Sequence, residues 1–442
     1  MAMTQREFLY LCARGNAEQI QLAIIEGASV NRRAKFMGSS VPPLFVAVIE
    51  KNYDAVKVLI KHKAKCIYGF VAIMMNEDEE MLKFMIDCGA DINCCDSHNR
   101  TPLLYALNTN KVKLVQWFLE LGADANYRAS AGFNALTYAA FMYNEQSEIK
   151  LNKKIIELLM DAGSEYDEAM MTAIKLHNTE LAQVLLDYGI DVNEKFINDQ
   201  SLLSIAILNL EKDKNMDMVK LFIKNGADVN EILDFGDGVT TSNLNIAISL
   251  SATDAAELLL ENGADPNFID SKGRLPLMYA VLTSLEMVEV LLRHGADPDI
   301  GDKEGRTPLM LAVIDSETEA GVIKALLESG ANPDIQDSSG HTALMWTIID
   351  HDREPELFTA ALIRTGAIRA EHGAEWFSTA SLFAAAKREV QLQTVKTLIE
   401  YGADLSIKDK KGLNAFMFAV MNFDEEIADI LKSAGGFSEP LN

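Results

Sequence analysis

Apolar residues recur along the chain in short bursts at three- and four-residue spacing, and burst after burst ends in glycine. Met287-Val288-Glu289-Val290-Leu291-Leu292-Arg293-His294-Gly295 is one such run. It predicts an amphipathic helix of about three turns, closed by a glycine free to adopt the left-handed conformation. A second apolar run lies upstream in each segment. Thr307-Pro308 opens one with a capping hydroxyl and a proline at the first helical position; Thr101-Pro102 repeats this, and Leu275-Pro276 keeps only the proline. Between segments stand Asp/Asn/Gly turns such as Asp302-Lys303-Glu304-Gly305-Arg306, suited to tight exposed connections. The predicted unit is two short antiparallel helices and a projecting turn. Alone it leaves its apolar face uncovered, so units must stack.

The unit repeats throughout. A Gly-Ala pair or close relative closes segments at Gly27, Gly89, Gly122, Gly163, Gly189, Gly226, Gly263, Gly295, Gly330, Gly366, Gly402 and Gly435, with Lys63-Ala64 filling the remaining beat. Thirteen units with a mean period of 34 residues result. These residues resemble the ankyrin repeat family, whose pattern runs D-x-x-G-x-T-P-L-H-x-A-A and then L-L-x-x-G-A-D-x-N. Asp302 to Ala312 with Leu326 to Asn332, and Asp270 to Ala280 with Leu291 to Asp297, are close matches. The resemblance implies an all-α fold: an α-solenoid of stacked helix-turn-helix repeats with short β-turn fingers, spanning 4–436 as a single elongated domain with a short tail at 437–442.

Departures from the pattern matter. Leu104, Met278, Met310, Met345 and Met417 stand where the family motif has histidine, so the seam between units is expected to rely on soft apolar packing. The units 63–89 and 163–189 are only 26 residues long, enough for helices but not for a full finger. Arc breaks are expected near them. Longer units carry extra residues around 143–150 and 232–242, and 369–379 replaces the finger with an irregular segment.

Composition narrows the function. Hydrophobic residues are 49% and prolines only 10, which excludes disordered and collagen-like chains. The net charge is −25, unfavourable for general nucleic-acid binding or membrane adsorption. Residues 1–65 depart from this with 10 basic and 5 acidic residues, while 241–365 hold 21 acids and 8 bases. Five cysteines are an odd, sparse count that suits a reducing compartment. No secretory pattern is visible at Met1 to Glu7 and no apolar run is long enough to cross a bilayer. The expected location is cytoplasmic, with signal-free export into a host cell left open.

Three surfaces are candidates. Finger positions, which the resemblance implies as binding sites, include Arg100, Arg274 and Arg306. An apolar strip is expected on the concave surface from Met74, Met75, Leu121, Phe133, Phe141, Met142, Tyr143 and Tyr188, either as an interaction hot spot or as local packing. A basic cluster of Arg32, Arg33, Lys35, Lys51, Lys57, Lys61, Lys63 and Lys65 is either a docking site for an acidic partner or a solvated capping end.

Catalytic and metal chemistry finds little footing. Cys88, Cys94, Cys95 and His98 lack paired C-x-x-C spacing, and the resemblance scatters them over helix end, loop and finger tip. No phosphate-cradling glycine loop or H-E-x-x-H motif appears. Trp117, Trp346 and Trp376 are read as core or seam. The expectation is a non-catalytic protein-protein interaction scaffold without metal or cofactor, binding one or more proteins, its oligomeric state open with a monomer favoured. The alternative is an acidic decoy that occupies a basic surface on a target.

Overall fold

A computed structural model describes residues 3–130, 132–143, 152–196, 199–234, 238, 240–315, 320–349 and 388–435. They fall into two compact units, 1–194 and 195–442. In each, an inner helix, a tight turn and an outer helix repeat in chain order, and inner helices pack on inner helices.

In the first unit the pairs are Gln5–Arg14 with Ala17–Ile25, Pro43–Ile49 with Tyr53–Lys61, and Ile67–Asn76 with Glu79–Asp87. Pro102–Asn108 with Val112–Glu120, Ala135–Met142 with Lys153–Asp161, and Asp167–Lys175 with Thr179–Tyr188 follow. The two short segments, 63–89 and 163–189, thus keep both helices. In the second unit Leu202–Asp213 pairs with Asp217–Lys224, Asn243–Ser249 with Thr253–Glu261, Pro276–Ala280 with Leu285–Arg293, and Pro308–Ile314 with Ala320–Glu328. Ala415–Met421 with Glu425–Ser433 ends the series.

Local chemistry sets the boundaries. Thr4 and Glu7 form a reciprocal capping box, as do Asn16 and Gln19, each cap contributing about 1 kcal/mol. Thr307 caps as expected, its hydroxyl accepting from the Met310 amide, whereas Thr101 makes no side-chain cap. The described terminal glycines all take positive φ, from 76° at Gly163 to 114° at Gly189. Lys63 is the exception that holds the same conformation with a side chain, at φ 61°. The core is a line of residues at the helix interfaces, including Phe8, Phe70, Phe118 and Phe222, each 0% exposed. The residues replacing the motif histidine follow the same line: Leu104, Met278, Met310 and Met345 are buried at the seam, and Met417 is half-buried.

Adjacent repeats are also joined by a polar ladder. The Asn126 amide nitrogen donates to the Gly163 carbonyl at 2.8 Å, and its oxygen accepts from the Glu165 amide at 2.8 Å. Asn93, Asn230 and Asn267 make the same pair of bonds to their following repeats. Asn31 does so to the main chain of Lys63 and Lys65.

One feature departs from the expected plan. The fingers at Ala34–Phe36/Ser39–Val41 and Ile232–Asp234/Thr240–Ser242 are antiparallel β-hairpins rather than plain turns. The unit closed by Gly366-Ala367, and the irregular segment 369–379, lie outside the described residues, as does 144–150. The described residues on either side nevertheless meet directly. Helix Ala343–Ile348 packs on Ala415–Met421, the Lys410 amide donates to the Ser339 carbonyl at 3.1 Å, and Gln391 donates to the Thr347 carbonyl at 2.8 Å. The helical residues 388–400 therefore serve as the outer partner of Ala343–Ile348.

Candidate protein-interaction surfaces

The inner helices present one position per repeat to solvent near their C-terminal end, two residues before the left-handed residue that leads to the outer helix. In the first unit this position holds Ile49, Met75, Asn108 and Lys175, ahead of Lys51, Glu77, Asn110 and His177. Phe141, seven residues past its cap Asn134, occupies it in the remaining repeat. Met75 is 68% and Phe141 50% exposed. They lie two repeats apart, about 20 Å at roughly 10 Å per stacked helix. Between them Asn108 accepts from the Tyr138 hydroxyl at 2.8 Å. Phe141 stacks on half-buried Phe133, ring centroids 6.0 Å apart.

The remaining members of the expected strip do not join this face. Met74 is 6% and Tyr143 2% exposed. The Tyr143 hydroxyl turns inward to donate to the Leu107 carbonyl at 2.7 Å, and burial pushes its pKa up to about 12. Leu121 and Tyr188 end outer helices, and the Tyr188 hydroxyl donates to Asp161 at 2.9 Å. Met142 is half-buried at the end of its helix. Adjacency in sequence to each terminal glycine placed Leu121 and Tyr188 in the strip, but that position belongs to the outer helix.

The finger arginines have roles inside their own fingers. Asp96 accepts from the His98 and Arg100 amides, from the Arg100 guanidinium at 2.8 Å and from the Tyr105 hydroxyl at 2.8 Å. Burial would raise this carboxyl, but the Arg100 amide and guanidinium, the Tyr105 hydroxyl and the His98 amide outweigh it and hold it at about 2. Asp302 grips Arg306 in the same way at 2.7 Å. Arg274 lies over the Tyr279 ring, whose hydroxyl donates to Asp270. Asp-x-x-x-Arg spacing in the sequence carries this signal, because residues four apart across a tight turn meet. Three fingers also hold a donor from an aromatic nine residues after the aspartate: Tyr105, Tyr279 and Trp346.

The second unit carries a more continuous apolar face that the sequence reading missed. In four consecutively stacked repeats the outward position holds Leu282, Ile314, Ile349 and Met421, with Leu282 at 55% and Met421 at 58% exposure. One turn earlier on the same helices stand Tyr279, Leu311, Trp346 and Phe418, all half-buried. His341, in the finger, sets its ring edge-on to Trp346 at 5.1 Å and Phe418 at 5.7 Å. The signal was available by reading positions four and seven past each helix cap across successive units. It was hidden because the residues are far apart in sequence and Trp346 alone resembles core.

Site chemistry of other kinds is sparse. Among the described residues no group of three or more His, Cys, Asp or Glu side chains is placed to hold a metal ion. Cys88 and Cys94 are half-buried and Cys95 exposed. Burial pushes the Cys94 thiol upward, away from the reactive thiolate. A recess of about 270 Å³ under the second hairpin, lined by Val229, Ile232, Leu244, Asp265 and Phe268 among others, is at the small end for a ligand site. Among the described residues no helix is long and apolar enough to cross a membrane.

Paired helices, terminal glycines and Asp-anchored fingers define a repeat protein with extended inner-helix faces. A family model of ankyrin repeats matches residues 70–168, 148–232, 212–302 and 283–354, and the chain belongs to the ankyrin repeat family. It is 28% identical over 274 residues to an ankyrin repeat protein of fowlpox virus (strain NVSL), covering 61% of this chain and 47% of that protein. It is 24% identical over 288 residues to the ankyrin repeat domain-containing protein M-T5 of myxoma virus (strain Lausanne), covering 60% of this chain and 51% of that protein. A third similarity, to an L-asparaginase of Dirofilaria immitis, is 28% over 167 residues and takes in 36% of this chain but 26% of that enzyme. The chain spans about half the length, or less, of these relatives.

Proposed function

We propose that this chain is a non-catalytic scaffold that binds partner proteins through its inner-helix faces. The observation that carries this is the double row of partly exposed apolar side chains in the second unit, with Leu282, Ile314, Ile349 and Met421 beside Tyr279, Leu311, Trp346 and Phe418. Large apolar side chains aligned over four repeats have the composition of an interaction hot spot. Met75 and Phe141, with Phe133 beneath, form a smaller contact in the first unit. Arg100, Arg274 and Arg306 support it by fixing finger shape, which sets what a partner meets at the rim. Five free cysteines fit a reducing cytoplasmic setting.

Affinity capture with mass spectrometry, comparing the wild type with the double variant Leu282→Asp/Met421→Asp, tests this. Loss of specific partners with an unchanged melting temperature is expected; an identical partner set sinks the reading. The excess of acids in 241–365 favours a second reading, a decoy for a basic surface. Binding that fades as salt rises, and that charge reversal in this region removes, would favour the decoy.

A further inference from the structure

We propose that the turn edge of the first two helix pairs, bearing Arg32, Arg33, Lys57, Lys61, Lys63 and Lys65, is a docking surface for an acidic segment of a partner protein. Asn31 bonds to the main chain of Lys63 and Lys65, at 3.4 and 2.7 Å, which brings the finger base at 32–33 against the turn at 63–65. Lys57 and Lys61 stand one helical turn apart on helix Tyr53–Lys61, leading into that turn. All six are exposed.

Three observations set this edge apart from an ordinary solvated end. Several cations elsewhere in the first unit have carboxylate partners: Lys51 with Asp78, Lys111 with Glu77, Arg128 with Glu165 and Glu168. Among the described residues none of the six forms an ion pair, although the chain as a whole carries −25. The outer helix beside this edge, Ala17–Ile25, contains no base and exposes Leu22 at 56% and Ile25 at 71%. Finally, Lys63 holds the left-handed conformation that glycine provides at every other described unit end. A lysine there keeps a cation on the edge at a position where the other described unit ends carry none.

The partner's chemistry follows from the surroundings. The His62 ring and Gln21 side chain meet at 2.9 Å, so Leu22 and Ile25 lie on the helix beside the cations. An occupant should offer carboxylates to the edge and apolar side chains to this pair, as a protein segment can. The Tyr68 ring beside these cations is covered by Arg33 at 4.9 Å, which disfavours its use for base stacking. The acidic remainder of the chain would also repel extended polyanions and anionic bilayers.

Fluorescence anisotropy with a labelled Asp/Glu-rich peptide carrying a central Leu-Leu pair tests the assignment, beside a single-stranded RNA of equal length and phosphatidylserine vesicles. The full chain should bind the peptide at about 0.05 M salt and weaken as salt rises through about 0.3 M. Lys61→Glu/Lys65→Glu should lower affinity about tenfold or more. Lys63→Gly should lower it about threefold while leaving the melting temperature unchanged or higher, an outcome no structural role for this lysine predicts. Met75→Ala, on the inner face, should bind as wild type, so failure here is distinct from failure of the inner-face reading. The proposal is overturned if the peptide does not bind, if charge reversal leaves binding intact, or if RNA or vesicles bind as tightly as the peptide.

Discussion

Residues 1–194 and 195–442 are built from the same helix pairs, yet their inner faces differ in kind. In the first unit the outward position runs Ile49, Met75, Asn108, Phe141, Lys175, so apolar contacts are interrupted by an amide and closed by a charge. In the second it runs Leu208, Ser249, Leu282, Ile314, Ile349, Met421, and the last four make an unbroken row. A surface on a repeat protein is assembled from one position in many repeats. Clusters of large residues close in sequence, such as Phe141-Met142-Tyr143, scatter instead onto exposed, half-buried and buried sites.

The largest effects probe whether the two units are separate cooperative bodies. Phe118→Ala in the first, where the ring packs edge-on to Phe70 at 5.8 Å, and Phe222→Ala in the second should each cost about 3–5 kcal/mol in chemical denaturation. Hydrogen exchange should show protection lost mainly around the altered repeat. Loss spread evenly over both units in either variant would break the comparison.

Acid should act next, on the finger of the first unit. Because the folded carboxyl of Asp96 sits near 2, below its unfolded value of about 4, its contribution is complete above pH 4 and is lost as pH falls toward 2. About 2 kcal/mol should disappear over that window. Asp96→Asn should remove this part of the acid limb, and an unchanged pH profile would show that the finger network contributes nothing to stability.

Partner binding comes third. Leu282→Asp should weaken capture at least tenfold, about 1.4 kcal/mol, while Met75→Asp costs less because its neighbour at the same level is Asn108. Equal losses would erase the distinction between the faces. Ser251→Gly, at φ 53°, should stabilise by up to about 1 kcal/mol.

Much of this architecture is readable from the residues alone, because glycine in a left-handed cap and Ser, Thr, Asn or Asp at helix starts act locally. Inner and outer helices, and their order, follow from that punctuation. What escaped has a common cause. Tyr143 turns inward because the Leu107 carbonyl one repeat away needs a donor, and Trp346 is half-exposed because its indole answers Asp337. Each depends on a neighbour whose place the local pattern does not specify.

The asparagine ladder has an evolutionary consequence. Asn93, Asn126, Asn230 and Asn267 grip only main-chain atoms of the repeat that follows, a carbonyl and an amide that every sequence supplies. The joint is therefore indifferent to what its neighbour displays. Gene duplication can add or exchange a repeat without inventing a new joint, and selection is left free to rewrite the exposed positions for whatever partner comes next.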